Sequence, residues 1–168
     1  HYPLRRQRQM CIETGTTAFR IAEVRPQVNG IILKRLFKEG GDVKEGQQLY
    51  QIDPSVYEAT LKSAEANLQS TKSISDRYKQ LVNEQAVSRQ EYDTAVANRL
   101  QSEASLQSAQ INLRYTKVLS PLTGRIGRSS VTEGALVSNG QADAMAVIQQ
   151  LDPILLLYTS DAADEEDS

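Results

Sequence analysis

Apolar and small residues recur at alternating spacings of four and three through the middle of the chain: Tyr57, Leu61, Ala64, Leu68, Thr71, Ser75, Tyr78 and Val82. This is a heptad seam with small residues at its centre, and it predicts a long helix lying against a partner helix. Residues 53–115 hold a single proline, near the start, and no glycine, and they are rich in Ala, Gln, Glu, Ser, Leu and Lys. Such a composition favours helix. Asp53 is the expected N-cap, with Pro54 in the first helical position. The seam breaks over Asn83–Val87. Ser88-Arg89-Gln90-Glu91 then has the form of a capping box, and Val87 and Tyr92 occupy the two positions of a hydrophobic staple. A weaker seam follows: Tyr92, Ala95, Arg99, Ser102, Leu106, Ala109 and Leu113, with Arg99 interrupting it. The prediction is an antiparallel coiled-coil hairpin with two arms of about 28–30 residues, each about 40–45 Å long.

The flanks have a different rhythm. Short apolar runs, Val28–Leu33, Val43, Leu49–Ile52, Ala135–Val137 and Ala144–Ile148, are separated by glycines, a pattern of short strands and turns. The glycines repeat. Gly30-x-Ile32 is followed by Gly40-x-x-Val43-x-x-Gly46, and Gly124-x-Ile126 by Gly134-x-x-Val137-x-x-Gly140, all at one constant offset. Glu39 and Glu133 fall on the same offset. Gly30, Gly40, Gly46, Gly124, Gly134 and Gly140 are therefore read as structural turns. Each copy is too small to enclose its own core, so the two are expected to pair face to face in one small β-sandwich or flattened barrel. The fold class is α+β: a split β-sandwich interrupted by a helical hairpin.

The chain has 168 residues, 19 Lys+Arg and 21 Asp+Glu, a formal charge of −2 and a mean hydropathy of −0.47. Apolar content of 39% is low for a compact globule and suits an elongated shape. Arg5, Arg6 and Arg8 crowd one end and Asp161, Asp164, Glu165, Glu166 and Asp167 the other, leaving a balanced body. Interspersed signs argue against a nucleic-acid-binding surface. No run of 18 apolar residues occurs, the usual minimum for a membrane-spanning helix. One cysteine, Cys11, forms no internal disulfide, and the single histidine, His1, offers neither a metal cluster nor a catalytic base. No phosphate loop is present, so no enzyme activity and no cofactor are expected. Residues 1–15 are atypical of the rest, and the segment after about Leu155 is expected to be foreign to the fold, because it resembles a translated sequencing adaptor.

Several runs resemble the periplasmic adaptor, or membrane fusion protein, family of tripartite efflux pumps, most nearly the type that works with resistance-nodulation-division (RND) transporters. They are Phe19–Val28, Leu49–Pro54, Ile111–Val118, Gly124–Arg128, Val131–Val137 and Gln149–Ile154. The resemblance spans about residues 16–154 and implies a lipoyl-like β domain, or barrel-sandwich hybrid, split by an α-hairpin. The expected division is 1–15, an atypical segment; 16–53 and 116–150, the halves of the lipoyl-like domain; 54–115, the hairpin; and 151–168, the start of a β-barrel region followed by the acidic tail. It further implies a periplasmic protein associated with the inner membrane, with an RND transporter and an outer-membrane channel as partners, and self-association into a trimeric or hexameric ring. An adaptor of an ABC-type exporter or type I secretion system is the nearest alternative. A lipoyl or biotin carrier is a remote one, since no Asp-Lys-Ala or Met-Lys-Met triplet occurs.

The family's hairpin tip carries Arg-x3-Leu-x6-Ser, which docks on the outer-membrane channel. Arg77, Leu81 and Ser88 match that spacing. Ser88 also has a purely local use as a helix cap, and Leu81 another in closing the coil. Arg77 has the weakest structural reason to be where it is.

Overall fold

The computed structural model describes residues 14–158. Strands β1 (Thr14–Val24), β2 (Gly30–Arg35), β3 (Asp42–Val43) and β4 (Gln48–Ile52) lead into helices α1 (Ser55–Asn83) and α2 (Arg89–Tyr115). Strands β5 (Lys117–Leu119), β6 (Gly124–Ile126), β7 (Leu136–Val137) and β8 (Ala146–Tyr158) follow. The strands form two four-stranded sheets, ordered β1-β8-β6-β3 and β5-β4-β2-β7. The architecture is the split β-sandwich with an inserted hairpin.

The glycine repeat is a structural repeat, but its two copies interlock rather than supplying one face each. Every sheet draws two strands from each half. Gly30 pairs with Val137 and Gly124 with Val43, which are equivalent pairings under the sequence offset. The Gly40 N–H donates to the Ile126 carbonyl at 3.0 Å and the Gly134 N–H to that of Ile32 at 2.8 Å, again an equivalent pair. The acids on the offset act likewise: Glu39 accepts from the Ser129 N–H and Glu133 from the Arg35 N–H. Gln47 and Gln141 repeat too, each accepting a backbone N–H three residues back. Each copy thus satisfies the other's open backbone groups, which unpaired strands as short as two residues leave exposed.

Inward positions of the interlocked strands enclose one core: Ile32, Val43, Leu49, Tyr50, Ile52, Ile126, Val137, Met145 and Ile148. Tyr50 breaks the pseudo-symmetry. Its ring meets Phe37 edge-on with centroids 5.1 Å apart, and its hydroxyl contacts Ser129 Oγ at 2.6 Å and donates to the Met145 carbonyl at 3.2 Å. A buried hydroxyl needs such partners.

Two of the six glycines are not turns. Gly40, Gly46, Gly134 and Gly140 have φ between 71° and 84°, where a side chain is strained. Gly30 and Gly124 instead open strands β2 and β6. A Cβ on Gly30 would stand 2.5 Å from Ile52 Cγ2, and one on Gly124 would run into the backbone carbonyl of Gln149. Close approach, not backbone conformation, requires glycine there. Helix α1 also starts one residue later than expected. Pro54 is at N-cap without a side-chain cap, and Asp53 Oδ1 accepts the Ser55 N–H at 3.0 Å from outside the helix. At the far end, β8 stays paired with β1 through Leu155 to Tyr158, beyond the point at which the sequence suggests that foreign residues begin. Cys11 and the two charged ends lie outside the described residues.

Candidate functional site

The hairpin stands on the β domain as a two-helix arm of about 40 Å. Every seam residue of both helices is buried or half-buried, while most others are exposed. The fully buried seam positions are small: Ser75, Ala95, Ser102 and Ala109. Thr71, Ser102 and Ser105 line a common groove, as do Ala64 and Ala109, and Tyr78 and Ala95, which sets the register of α1 against α2. Arg99 keeps its stem in the seam, and its buried Nε has no hydrogen-bond partner.

At the tip, α1 ends in a left-handed cap. Gln85 has φ 57°, the Gln85 N–H donates to the Val82 carbonyl and the Ala86 N–H to that of Leu81 at 2.9 Å. This is the Schellman arrangement, in which the residue opening the motif usually packs inward. Leu81 is accordingly half-buried. Glutamine at the left-handed position carries no sequence signal, since Gly or Asn is the usual choice. Across the turn, Ser88 caps α2 in a complete box: Ser88 Oγ accepts the Glu91 N–H at 3.2 Å, and Glu91 Oε2 accepts the Ser88 N–H at 2.9 Å. The Ser88 N–H first, and second the Ser88 hydroxyl, which also donates to Glu91 Oε2 at 3.0 Å, hold the Glu91 carboxyl below its ordinary range. Ser55 does the same for Asp53, through its hydroxyl and then its N–H. Arg77 is exposed. The ion pairs among the described residues join Glu23 to Arg25, Arg35 to Glu39 and Asp42 to Arg125, and none involves Arg77.

The three tip residues therefore differ. Leu81 and Ser88 have local structural duties, whereas the Arg77 guanidinium is held by neither helix and offers several donors suited to carboxylates and backbone carbonyls. The arm has small side chains buried along its seam and exposed polar flanks. Among the described residues no cluster of metal-ligating side chains occurs, and no helix is long and apolar enough to cross a membrane.

The chain matches the family model described as "RND MFP, barrel-sandwich hybrid domain" over residues 20–149. It is 74% identical over 149 residues to the antibiotic efflux pump periplasmic linker protein ArpA of Pseudomonas putida, covering 89% of this chain and 40% of that protein. It is 73% identical over 144 residues to the multidrug resistance protein MexA of Pseudomonas aeruginosa, covering 86% of this chain and 38% of that protein. Among solved structures, a MacA–MexA chimeric protein containing the P. aeruginosa MexA α-hairpin domain superposes with a TM-score of 0.75 at 41% identity, covering 83% of this chain and 52% of the chimera. The chain thus spans about two fifths of the length of the curated relatives it matches.

Proposed function

Because the chain belongs to the RND membrane fusion protein family, with the match over residues 20–149, we propose that it serves as the periplasmic adaptor of a multidrug efflux pump, linking an inner-membrane RND transporter to an outer-membrane channel. The observation that carries this reading is the 74% identity, over 149 residues, to a protein named a periplasmic linker. That span takes in both the β domain and the arm. Residues 16–53 with 116–150 act as the body and residues 54–115 as the reach. Several copies associate into a ring, trimeric or hexameric, with their arms side by side and the protein held at the inner membrane. Nothing in this role asks for bond-making chemistry; the adaptor couples two membrane proteins mechanically and encloses the path between them.

Arg77, Leu81 and Ser88 form the contact with the channel. Arg77 supplies directional hydrogen bonds to carbonyl or carboxylate groups. Leu81 supplies apolar area at the coil's end, and Ser88 holds the second helix in register. The test is Arg77→Asp in a full-length protein carrying this sequence, expressed in an adaptor-deletion strain. Drug resistance is expected to be lost while the thermal midpoint stays at the wild-type value. Full complementation by the variant contradicts the assignment of the tip.

A further inference from the structure

The arm's foot rests on few bonds. The Ile52 N–H donates to the Thr116 carbonyl at 2.8 Å, which ties the two chain crossings to each other, and the Asp53 N–H donates to the Ile31 carbonyl at 2.9 Å. Those bonds lie at the pivot itself, where they have almost no leverage. On the side of α2, Tyr115 packs against the edge of the core, and Arg114 and Tyr115 line an open cleft of about 270 Å³ together with Glu23, Arg25, Gln27 and Lys117 of the β domain. Among the described residues, one side-chain hydrogen bond joins a helix of the arm to a body residue distant in sequence. Tyr57, in the first turn of α1, donates its hydroxyl to the Asn29 carbonyl at 2.7 Å. Asn29 is held in turn: its Oδ1 accepts the Asn139 N–H at 2.6 Å, from the turn after β7. The chain Asn139–Asn29–Tyr57 joins the second β half, the first β half and the arm.

Lever length makes this bond matter. A tilt of about 10° at the foot moves a tip about 40 Å away by about 7 Å, more than the helix pitch of about 5.4 Å. Such play would shift the tip by a full turn against anything it meets. We propose that Tyr57 and Asn29 form a strut that sets the angle of the arm on the β domain. They are positioning residues for docking at the tip, with no contact of their own to a partner. The relevance to docking rests on the adaptor reading above; the strut itself does not.

The experiment separates the two. In the 168-residue chain with Cys11 replaced by serine, spin labels are placed at Lys44 in the β domain and Lys79 near the tip, both exposed. The distance distribution between the labels is read by pulsed electron resonance. Tyr57→Phe keeps the ring against the core and removes only the hydroxyl. It is expected to at least double the width of the distribution with little change in thermal midpoint. Asn29→Ala, which frees the Asn139 tether, is expected to broaden it too, and Asn29→Asp, which keeps the acceptor, to restore the native width. A Tyr57→Phe distribution as narrow as wild type overturns the strut. If the distribution broadens but full-length Tyr57→Phe still supports normal efflux, the strut stands and its link to docking falls.

Discussion

The β domain and the arm are built on opposite principles from the same chain. Among the described residues, the largest wholly enclosed side chains, including Tyr50, Ile32, Leu49, Ile126 and Met145, all lie in the β domain or its junction with the arm. In the arm, the buried residues are Ser75, Ala95, Ser102 and Ala109. Burial of apolar area is the main stabilising term in folding, at about 25 cal/mol per Å². The β domain therefore carries its own stability, whereas two helices joined by alanines and serines gain little from each other. Small seam residues allow close helix packing and leave the arm's flanks free for neighbours. On the proposed adaptor role, the contrast separates a self-sufficient body from an arm that would gain stability from neighbours.

The sharpest way to break that contrast is to cut equally into both regions. Ile148→Ala, at a wholly buried β8 position, is expected to cost about 2–5 kcal/mol in denaturant unfolding. Leu68→Ala, at a half-buried seam position, is expected to cost only about 1 kcal/mol. Equal losses would mean that the arm has a core of its own. Gly124→Ala comes next. Its methyl group meets the Gln149 carbonyl, so β6 must move away from β8, at an expected cost of about 1–3 kcal/mol. The same change at Gly46, where the strain is one of φ alone and the space is open, is expected to cost about 1 kcal/mol.

Within the arm, Arg99→Leu is expected to stabilise. It removes a buried unpaired donor from the seam and adds apolar contact, a gain of about 1 kcal/mol in helix unfolding followed by circular dichroism. A loss would show that the guanidinium has a stabilising partner. The smallest effect is one of pH. The Glu91 carboxyl is held below its ordinary range by Ser88, so the folded cap binds its proton less readily than the unfolded chain does. Its contribution is complete above the ordinary carboxylate range and is lost as pH falls through the lowered folded value. Acidification should fray the start of α2 before it touches the β domain, and Glu91→Gln should flatten that dependence; amide chemical shifts at residues 88–92 report it.

Local patterns were the most legible in the sequence. The heptads mark the seam because the period of a helix is fixed by its backbone. The capping box is legible because all its partners lie within four residues. The glycine offset identifies equivalent positions but not which strand each one meets, so the interlocking of the two copies is not legible in it. Gly30 and Gly124 look like turns because a glycine required by a neighbouring atom and one required by a positive φ read alike. The left-handed Gln85 and the Asn29–Tyr57 strut leave no trace in spacing, because the first breaks the usual residue preference and the second joins residues far apart in sequence. Of the candidate tip residues, the exposure of Arg77 and the capping duty of Ser88 followed from where the seam ends. The sequence already allowed Leu81 a role in closing the coil, but the cap that turns it inward is visible only in the backbone.

The central claim is that the arm depends on neighbours and the body does not. Native-state amide hydrogen exchange on the monomeric 168-residue chain tests it most directly, because it measures opening residue by residue. The account predicts that amides from Ser75 to Ser102, around the tip, exchange through low-energy local opening, at rates at least about 100-fold faster than those of Leu49–Ile52 and Val147–Ile148. Protection across the tip equal to that of the β domain, in a monomer with no partner present, would contradict it.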